Sequence, residues 1–413
     1  MIELLNVWLT LPTGAVVKAG ELAVKEPDQR GALQGQFRYL QDYLELAEAF
    51  ALDPLHLPLS AETFAAERPY SGVHGVFEDS LPDSWGRKIM VRRHRLGRGE
   101  QRVPHLLRLL GDQGIGALSY TEKERPWPNS SSGVSSRHLE ELMVLAEKFD
   151  QDPVALADDE LSLLFQAGSS PGGARPKALV VDQEGSWLAK FPAVGDKLDI
   201  VGLEAAAMEM ARRAGLETAI TRPLTVGGRK CLLVKRFDIN LAGGSAGGRN
   251  HLISMQSLLG AEGYYNFSYR DLAAVIKRLA AEPQRELNML YRQMLFNVMI
   301  GNTDDHLKNF SMLHDENGWR LSPAFDLVPN IGFNREHVLR IGLDNHVTNL
   351  DTLLAEAKYF GIKRRRVAEE IVAAVQEAVA QWASLFQKFA VPKKDTELIG
   401  MDIESRLKIW RRS

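Results

Sequence analysis

The sequence predicts an α+β protein in which a small strand-rich N-terminal part precedes a longer region that turns mainly α-helical toward the C-terminus. Short β-type runs, Leu4-Leu5-Asn6-Val7-Trp8-Leu9 and Phe37-Arg38-Tyr39-Leu40, flank a polar patch at 26–32. Apolar residues recur at helical spacing at Leu272, Val275, Ile276 and Leu279, and again at Val367, Ile371, Val372 and Val375. With 413 residues the chain exceeds the usual single-domain range, so two or three packed units are expected.

The elements follow in order. Between about 75 and 112 the pattern becomes helical, with Asp79, Ser80, Asp83 and Ser84 as cap-type residues before Trp85. Residues 122–137, rich in Pro, Ser and Asn, read as an exposed loop, and the glycine-rich stretch Ala242–Gly248 as a second one. Three segments result: 1–121, 138–240 and a helical 250–413. An apolar content of 45% with 25% charged residues excludes the disordered class, and no apolar run is long enough to span a membrane. A net charge of −3 gives no overall footprint for nucleic acid, so direct DNA binding is not expected. The single cysteine, Cys231, lies in an apolar run and reads as a buried structural thiol. Without a secretory pattern at the N-terminus, the expected location is the cytoplasm.

Chemistry concentrates in Gly301-Asn302-Thr303-Asp304-Asp305-His306-Leu307-Lys308-Asn309, which follows the apolar, helix-like Met294–Ile300. Phosphoryl transfer to a hydroxyl needs a carboxylate to orient and deprotonate the acceptor, and protein-kinase catalytic loops place a magnesium-binding Asn five positions later. Asp304 and Asn309 have that spacing. A second metal-binding Asp is expected on a strand-like run, and Leu321–Pro329 supplies Asp326 after Phe325, with Leu327 where a DFG segment has glycine. A carboxylate and an amide carbonyl suit Mg2+, which completes its shell with water and phosphate oxygens. His306 has no second histidine at ligand spacing and reads as a catalytic-loop residue on the nucleotide side.

The nucleotide-binding parts are expected upstream. Gly168-Ser169-Ser170-Pro171-Gly172-Gly173 precedes the strand-like Ala178–Val181, so its backbone N–H groups can approach phosphates. Lys190, in the strand-like Trp187–Phe191, is placed to hold the α/β-phosphates. Glu204 opens an Ala-rich helix and can pair with Lys190, with Glu209 as the competitor. The strand Leu232–Val234 runs into Lys235, Arg236, Phe237 and Asp238, where a hinge would meet adenine. ATP and Mg2+ are the expected substrate and metal.

With this order of parts the chain resembles the HipA-like serine/threonine kinases, toxins of type II toxin–antitoxin systems. The resemblance covers nearly the whole chain, including Leu57-Pro58-Leu59-Ser60, Gly75–Gly86, the loop at 168–177 and the string Thr303–Asn309. It implies a small N-terminal domain packed on a two-lobed protein-kinase-like domain, Asp304 as catalytic base, Asn309 and Asp326 as magnesium ligands, and Lys190 as the phosphate lysine. It also implies self-phosphorylation of Ser169 or Ser170, a translation-related protein substrate and a small helix-turn-helix antitoxin as partner. Where the family's hinge often begins with an acidic residue, this sequence has Lys235.

Singly, each of these residues has a plainer reading. Asp304, Asp305 and Asn309 are common turn and cap types, Lys190 an ordinary strand lysine, and Glu204 a helix-start residue favoured by the dipole. Lys363-Arg364-Arg365-Arg366 reads as a solvated face. A small-molecule or lipid kinase, or a weak nucleotide-binding docking protein, is the alternative function.

Overall fold

A computed structural model of the chain describes residues 2–122, 133–168, 175–240, 247–262, 266–330, 336–343 and 349–409. The chain forms two compact units, one of residues 1–194, 235–260 and 313–316, the other of residues 195–234, 261–312 and 317–413. These units cut the chain at other places than the three sequence segments. The chain leaves the first unit after 194 and returns at 235, so the intervening helix and hairpin count with the helical unit.

In the first unit, β1 (Ile2–Thr10), β2 (Val16–Lys25), β3 (Gly35–Tyr39), β4 (Thr63–Ala66) and β5 (Leu118–Glu122) form an antiparallel sheet in the order β4-β3-β2-β1-β5. Period-two alternation sends Leu5, Val7 and Leu9 of β1 into the core, at 2%, 0% and 0% exposure. Gly20 of β2 is required by packing, because a Cβ there would lie 2.4 Å from the Phe37 ring.

The helical stretch at 75–112 resolves into helices Gly75–Glu78, Ser84–Arg93 and Val103–Leu110. Its cap-type residues do other work. Asp79 accepts hydrogen bonds from Ser254 N and Oγ, both at 2.8 Å, and Ser80 Oγ lies 2.8 Å from the Tyr120 hydroxyl. Asp83 stands at the N-cap but makes no capping bond. Trp85 packs edge-on against Phe149 of helix Leu139–Gln151, ring centroids 6.1 Å apart.

The second glycine-rich and the Pro/Ser-rich loops lie largely outside the described residues; the strands at their margins are as follows. Val134–Ser135 forms β6, parallel to β7 (Lys177–Asp182), which pairs antiparallel with β8 (Gly185–Lys190). Gly248–Arg249 pairs antiparallel with Ile239–Asn240.

In the second unit, helix Ile200–Arg213 is capped by Asp199, whose Oδ1 accepts from Gly202 N at 3.0 Å. The helix therefore starts four residues before Glu204, which sits in the second turn and not at the dipole end. The strands β9 (Thr221–Val226) and β10 (Arg229–Lys235) follow as a hairpin. Cys231 of β10 is fully buried, and burial pushes its thiol up to about 12.

Helix Pro283–Ile300 starts with Pro at its first turn and forms the centre of this unit, with Leu290, Tyr291, Met294, Leu295 and Phe296 all at 0% exposure. The predicted helices appear as Tyr269–Leu279 and Arg365–Val379. The run Lys363–Arg366 is exposed, with Arg365 paired to Asp351 and Glu369, and Arg366 to Glu370. Among the described residues no helix is long and apolar enough to cross a membrane.

Candidate active site

The candidate catalytic loop begins where helix Pro283–Ile300 must stop. Gly301 adopts a left-handed φ of 74°, and a Cβ there would fall 2.8 Å from Arg406 Nε and 2.9 Å from Asp402 Oδ2. Only glycine combines that φ with that space. The chain then alternates. Thr303 and Asp305 are buried, at 6% and 1% exposure, while Asp304 between them is exposed.

Adjacent aspartates thus take opposite jobs. Asp305 accepts from the Tyr269 hydroxyl at 2.7 Å, His337 Nδ1 at 2.9 Å, Val338 N at 2.8 Å and Leu339 N at 3.3 Å. Behind it, Asn302 Nδ2 donates to Asn297 Oδ1 at 3.1 Å, and Asn297 Nδ2 to the Tyr269 hydroxyl at 2.9 Å. Burial first, and Asp305 next, push the Tyr269 phenol well up, so it stays a neutral donor. This network was not legible in the sequence. Its one signal is the doubled Asp-Asp, of which an exposed loop needs only one.

Asn309 closes the loop, its Nδ2 donating to the Asp304 carbonyl at 2.9 Å and its N to the His306 carbonyl at 2.9 Å. His306 is half-buried and precedes the 3-10 turn Leu307–Asn309. With its amide nitrogen committed to the loop, Asn309 keeps its Oδ1 as a hard acceptor.

Asp326 lies outside any strand, contrary to the strand-like reading of Leu321–Pro329, since the strand ends at Leu321. Its backbone is left-handed, φ 55°, one of three such non-glycine residues among those described. That conformation is costly and suggests a used position. Burial raises the Asp304 carboxyl above the ordinary range; His306 works against this, and the charges of Asp326 and Asp305 add to it. Asp304 and Asp326 therefore sense each other, as two carboxylates beside one cation would.

Among the described residues no group of three or more His, Cys, Asp or Glu could hold a metal ion. The Asn309 and Asp326 oxygens fit a cation that takes the rest of its shell from phosphates and water, which is the habit of Mg2+.

The residues expected on the nucleotide side fall in both units. In the first, Lys190 of β8 is half-buried and stands opposite Lys177 of β7, which is 5% exposed. Directly opposed residues of an antiparallel pair share a face. Lys177 is a residue the sequence reading missed. Its signal was a lysine in phase with the strand alternation just after the glycine loop. Ser169, Ser170, Gly172 and Gly173 lie outside the described residues.

Also in the first unit, Lys235 Nζ sits 5.7 Å from the centroid of the Trp187 ring. Phe237 is half-buried, and its carbonyl accepts from Asn250 Nδ2 at 3.2 Å. Asp238, also expected on the nucleotide side, is held by groups of the protein itself. It is 2% exposed and accepts from Arg236 Nε at 3.0 Å, Arg236 Nη2 at 2.5 Å and Gly116 N at 2.7 Å. Burial works to raise its carboxyl, but Arg236, the Gly116 N–H and Arg249 together hold it below the usual range. Its carboxylate is thus tied into the framework of the first unit.

In the second unit, Glu204 is buried at 3% exposure. Glu209 is held by Arg212 at 2.9 Å and Arg213 at 3.0 Å on its own helix.

Comparison with known proteins bears on the family and the fold. The profile of the HipA N-terminal domain matches residues 15–121, and that of the HipA-like C-terminal domain matches residues 169–382. The chain is 26% identical over 396 residues to "Putative kinase Y4mE" of Sinorhizobium fredii, covering 85% of this chain and 90% of that protein. It is 25% identical over 284 residues to "Putative kinase Y4dM" of the same organism, covering 64% of each. Among solved structures, a chain of the Shewanella oneidensis toxin–antitoxin complex of HipA, HipB and operator DNA matches with a TM-score of 0.71 and 17% identity, over 98% of this chain and 97% of that one. At that identity the likeness establishes the fold, a strand-rich N-terminal region followed by a helical C-terminal part. Since the C-terminal profile alone spans more than half of the sequence, the chain belongs to the HipA-like family.

Proposed function

We propose that this protein is an ATP- and Mg2+-dependent kinase that phosphorylates a serine or threonine hydroxyl of a protein, as the toxin of a toxin–antitoxin pair. The observation that carries the reading is the loop in which Asn309 ties back to the Asp304 carbonyl at 2.9 Å while Asp304 stays exposed five positions before it.

In the reaction, the acceptor oxygen bonds to the γ-phosphorus as the bond from that phosphorus to the β,γ-bridging oxygen breaks. ADP leaves, and the acceptor's proton passes to the Asp304 carboxylate. A raised carboxyl is the stronger base of its kind once ionised. Asn309 and Asp326 hold Mg2+, which when bound neutralises phosphate charge. Lys190, with Lys177 beside it, offers cations for the phosphates, Glu204 is the carboxylate assigned to orient Lys190, and His306, Lys235 and Phe237 belong to the nucleotide side.

The antitoxin and the self-phosphorylation of Ser169 or Ser170 rest on the family resemblance. That the Shewanella complex contains HipB supports an antitoxin partner; it also contains operator DNA, so it lends no support to an absence of direct DNA contact.

The test is incubation of the purified chain with Mg2+ and radiolabelled ATP, with and without cell lysate, beside Asp304→Ala. Label in protein bands that vanishes in the variant supports the reading. Label in small molecules or lipids only would select the alternative kinase class. Metal-dependent ATP binding without any transfer would select a docking protein.

A further inference from the structure

Helix Pro283–Ile300 hands the chain to the loop at 301–309, and its end is held from far along the sequence. The last carbonyls of a helix have no partner within it. Here the Asn297 carbonyl accepts from Gly301 N and, at 2.9 Å, from Asn302 N, while the Val298 carbonyl accepts from Arg406 Nη1 at 3.1 Å. Arg406 belongs to helix Lys393–Ile409 and is 6% exposed. Asp402, one turn before it, aims the guanidinium by accepting from Nε at 2.6 Å. The arginine's charge also suits the negative end of the helix dipole. A Cβ on Gly301 would come within 2.8 Å of Arg406 Nε, and the Gly301 carbonyl accepts from Asn330 N at 2.9 Å. The start of the loop is thus gripped from two sides, by Arg406 and by the segment four residues beyond Asp326.

We propose that Arg406 is a positioning residue of the transfer reaction: its guanidinium fixes the end of the central helix at Val298 and Gly301, and so sets where the loop carries Asp304. This rests on the kinase reading and adds a residue to that same site. Two observations favour positioning over a purely structural role. Among the described residues, Arg406 Nη2 is buried with no hydrogen-bond partner. A buried donor left so is unfavourable, and a buried ion pair is often no more stable than an apolar replacement, so stability alone does not call for an arginine here. What an apolar side chain cannot do is hold the Val298 carbonyl and the Asp402 carboxylate at once, as the forked guanidinium does. The other observation is place. The bond falls on the turn from which the loop departs, three residues before Asp304, and group transfer is sensitive to a misplacement of roughly 1 Å.

The test compares the full-length wild type with Arg406→Met, which keeps length without donors, and Arg406→Lys, whose ammonium can still reach the Val298 carbonyl. Single-turnover transfer and Mg2+-ATP affinity are measured at a temperature where unfolding curves show every protein folded. Arg406→Met should slow transfer about 10-fold or more while the ATP dissociation constant changes by no more than about 2-fold, and Arg406→Lys should recover most of the rate. Should Arg406→Met not fold, Asp402→Asn, which keeps the arginine but loosens its aim, should show the same split at about 3-fold. Transfer at the wild-type rate in the folded variants, a rate loss matched by a loss of ATP affinity, or Arg406→Lys no better than Arg406→Met would overturn the positioning role alone. A wild type that transfers phosphate to nothing, itself included, would remove the kinase reading and this inference together.

Discussion

His337 Nδ1 and Asp305 Oδ2 meet at 2.9 Å with both side chains buried, so that Nδ1–H donates to the carboxylate and ties the segment after Asp326 to the loop at 301–309. Asp305 collects three further donors there, from Tyr269, Val338 and Leu339. Asp305→Asn should leave donors facing an amide and cost roughly 3–5 kcal/mol, as for a broken buried charge network. Tyr269→Phe should cost about 1.5–3 kcal/mol, the range for a hydrogen bond to a charged group. Because the two share one bond, the double variant should lose less than the sum. Urea denaturation of the four proteins checks this, and additive losses would contradict it.

Asp304 and Asp326 are expected to separate in their effects. Asp304→Ala should leave Mg2+-ATP affinity nearly unchanged and lower transfer by roughly 10²-fold or more, as it handles the acceptor's proton. Asp326→Ala should weaken nucleotide binding only when the metal is present. Titrations with and without Mg2+ beside single-turnover transfer decide it; wild-type transfer by Asp304→Ala would remove Asp304 as the base.

The raised Asp304 carboxyl has two pH signatures of opposite value. Transfer requires the ionised form, so the acid limb of the rate profile should centre above the ordinary aspartate value near 3.9. Stability runs the other way. A carboxyl raised by folding is strained when ionised, so its favourable contribution is complete below its unfolded value and is lost as pH rises through the folded one. In metal-free protein, Asp304→Asn should therefore be more stable than wild type at pH 7, with the gap closing as the pH falls through the raised folded value and gone below about 4. A gap that widens in acid would reverse the sign.

Acid should destabilise the first unit through histidines. His74, His251 and His314 are each pushed down to about 4, burial being the leading cause. His251 Nε2 lies 2.8 Å from the Leu52 carbonyl and must donate to it. The unfolded chain takes up these protons near pH 6.5 and the folded chain near 4, so stability should fall as pH drops between those values. For His251 the effect is on the order of 3 kcal/mol at most. His251→Gln, which can still donate to Leu52, should flatten that slope in denaturation curves at successive pH values.

Asp238→Asn distinguishes a framework role from nucleotide contact. Breaking its buried pair with Arg236 should cost roughly 3–5 kcal/mol of stability. ATP affinity, measured where the variant is still folded, should change little. A large rise in the ATP dissociation constant with stability intact would return Asp238 to the nucleotide side.

Local chemistry made much of this protein legible from its sequence. Strand alternation in Leu4–Leu9, helical spacing at Leu272–Leu279, and the five-residue step from Asp304 to Asn309 are properties of neighbouring residues, and period and spacing survive without knowledge of the fold. The buried thiol of Cys231 followed from its apolar run. Residues whose partners lie far along the chain could not be read this way. Asp305 and Asp304 are the same amino acid side by side, and only Tyr269 and His337, 36 and 32 residues away, make one a buried anchor and leave the other to face solvent. Asp238 looked like part of a hinge until Gly116, 122 residues earlier, took its carboxylate. Lys177 gained meaning only from the β7–β8 register opposite Lys190. The sequence by itself determined the elements and the order of the chemical groups. The tertiary structure decided which polar groups are buried with partners, because desolvation and long-range hydrogen bonding depend on what the fold brings into contact.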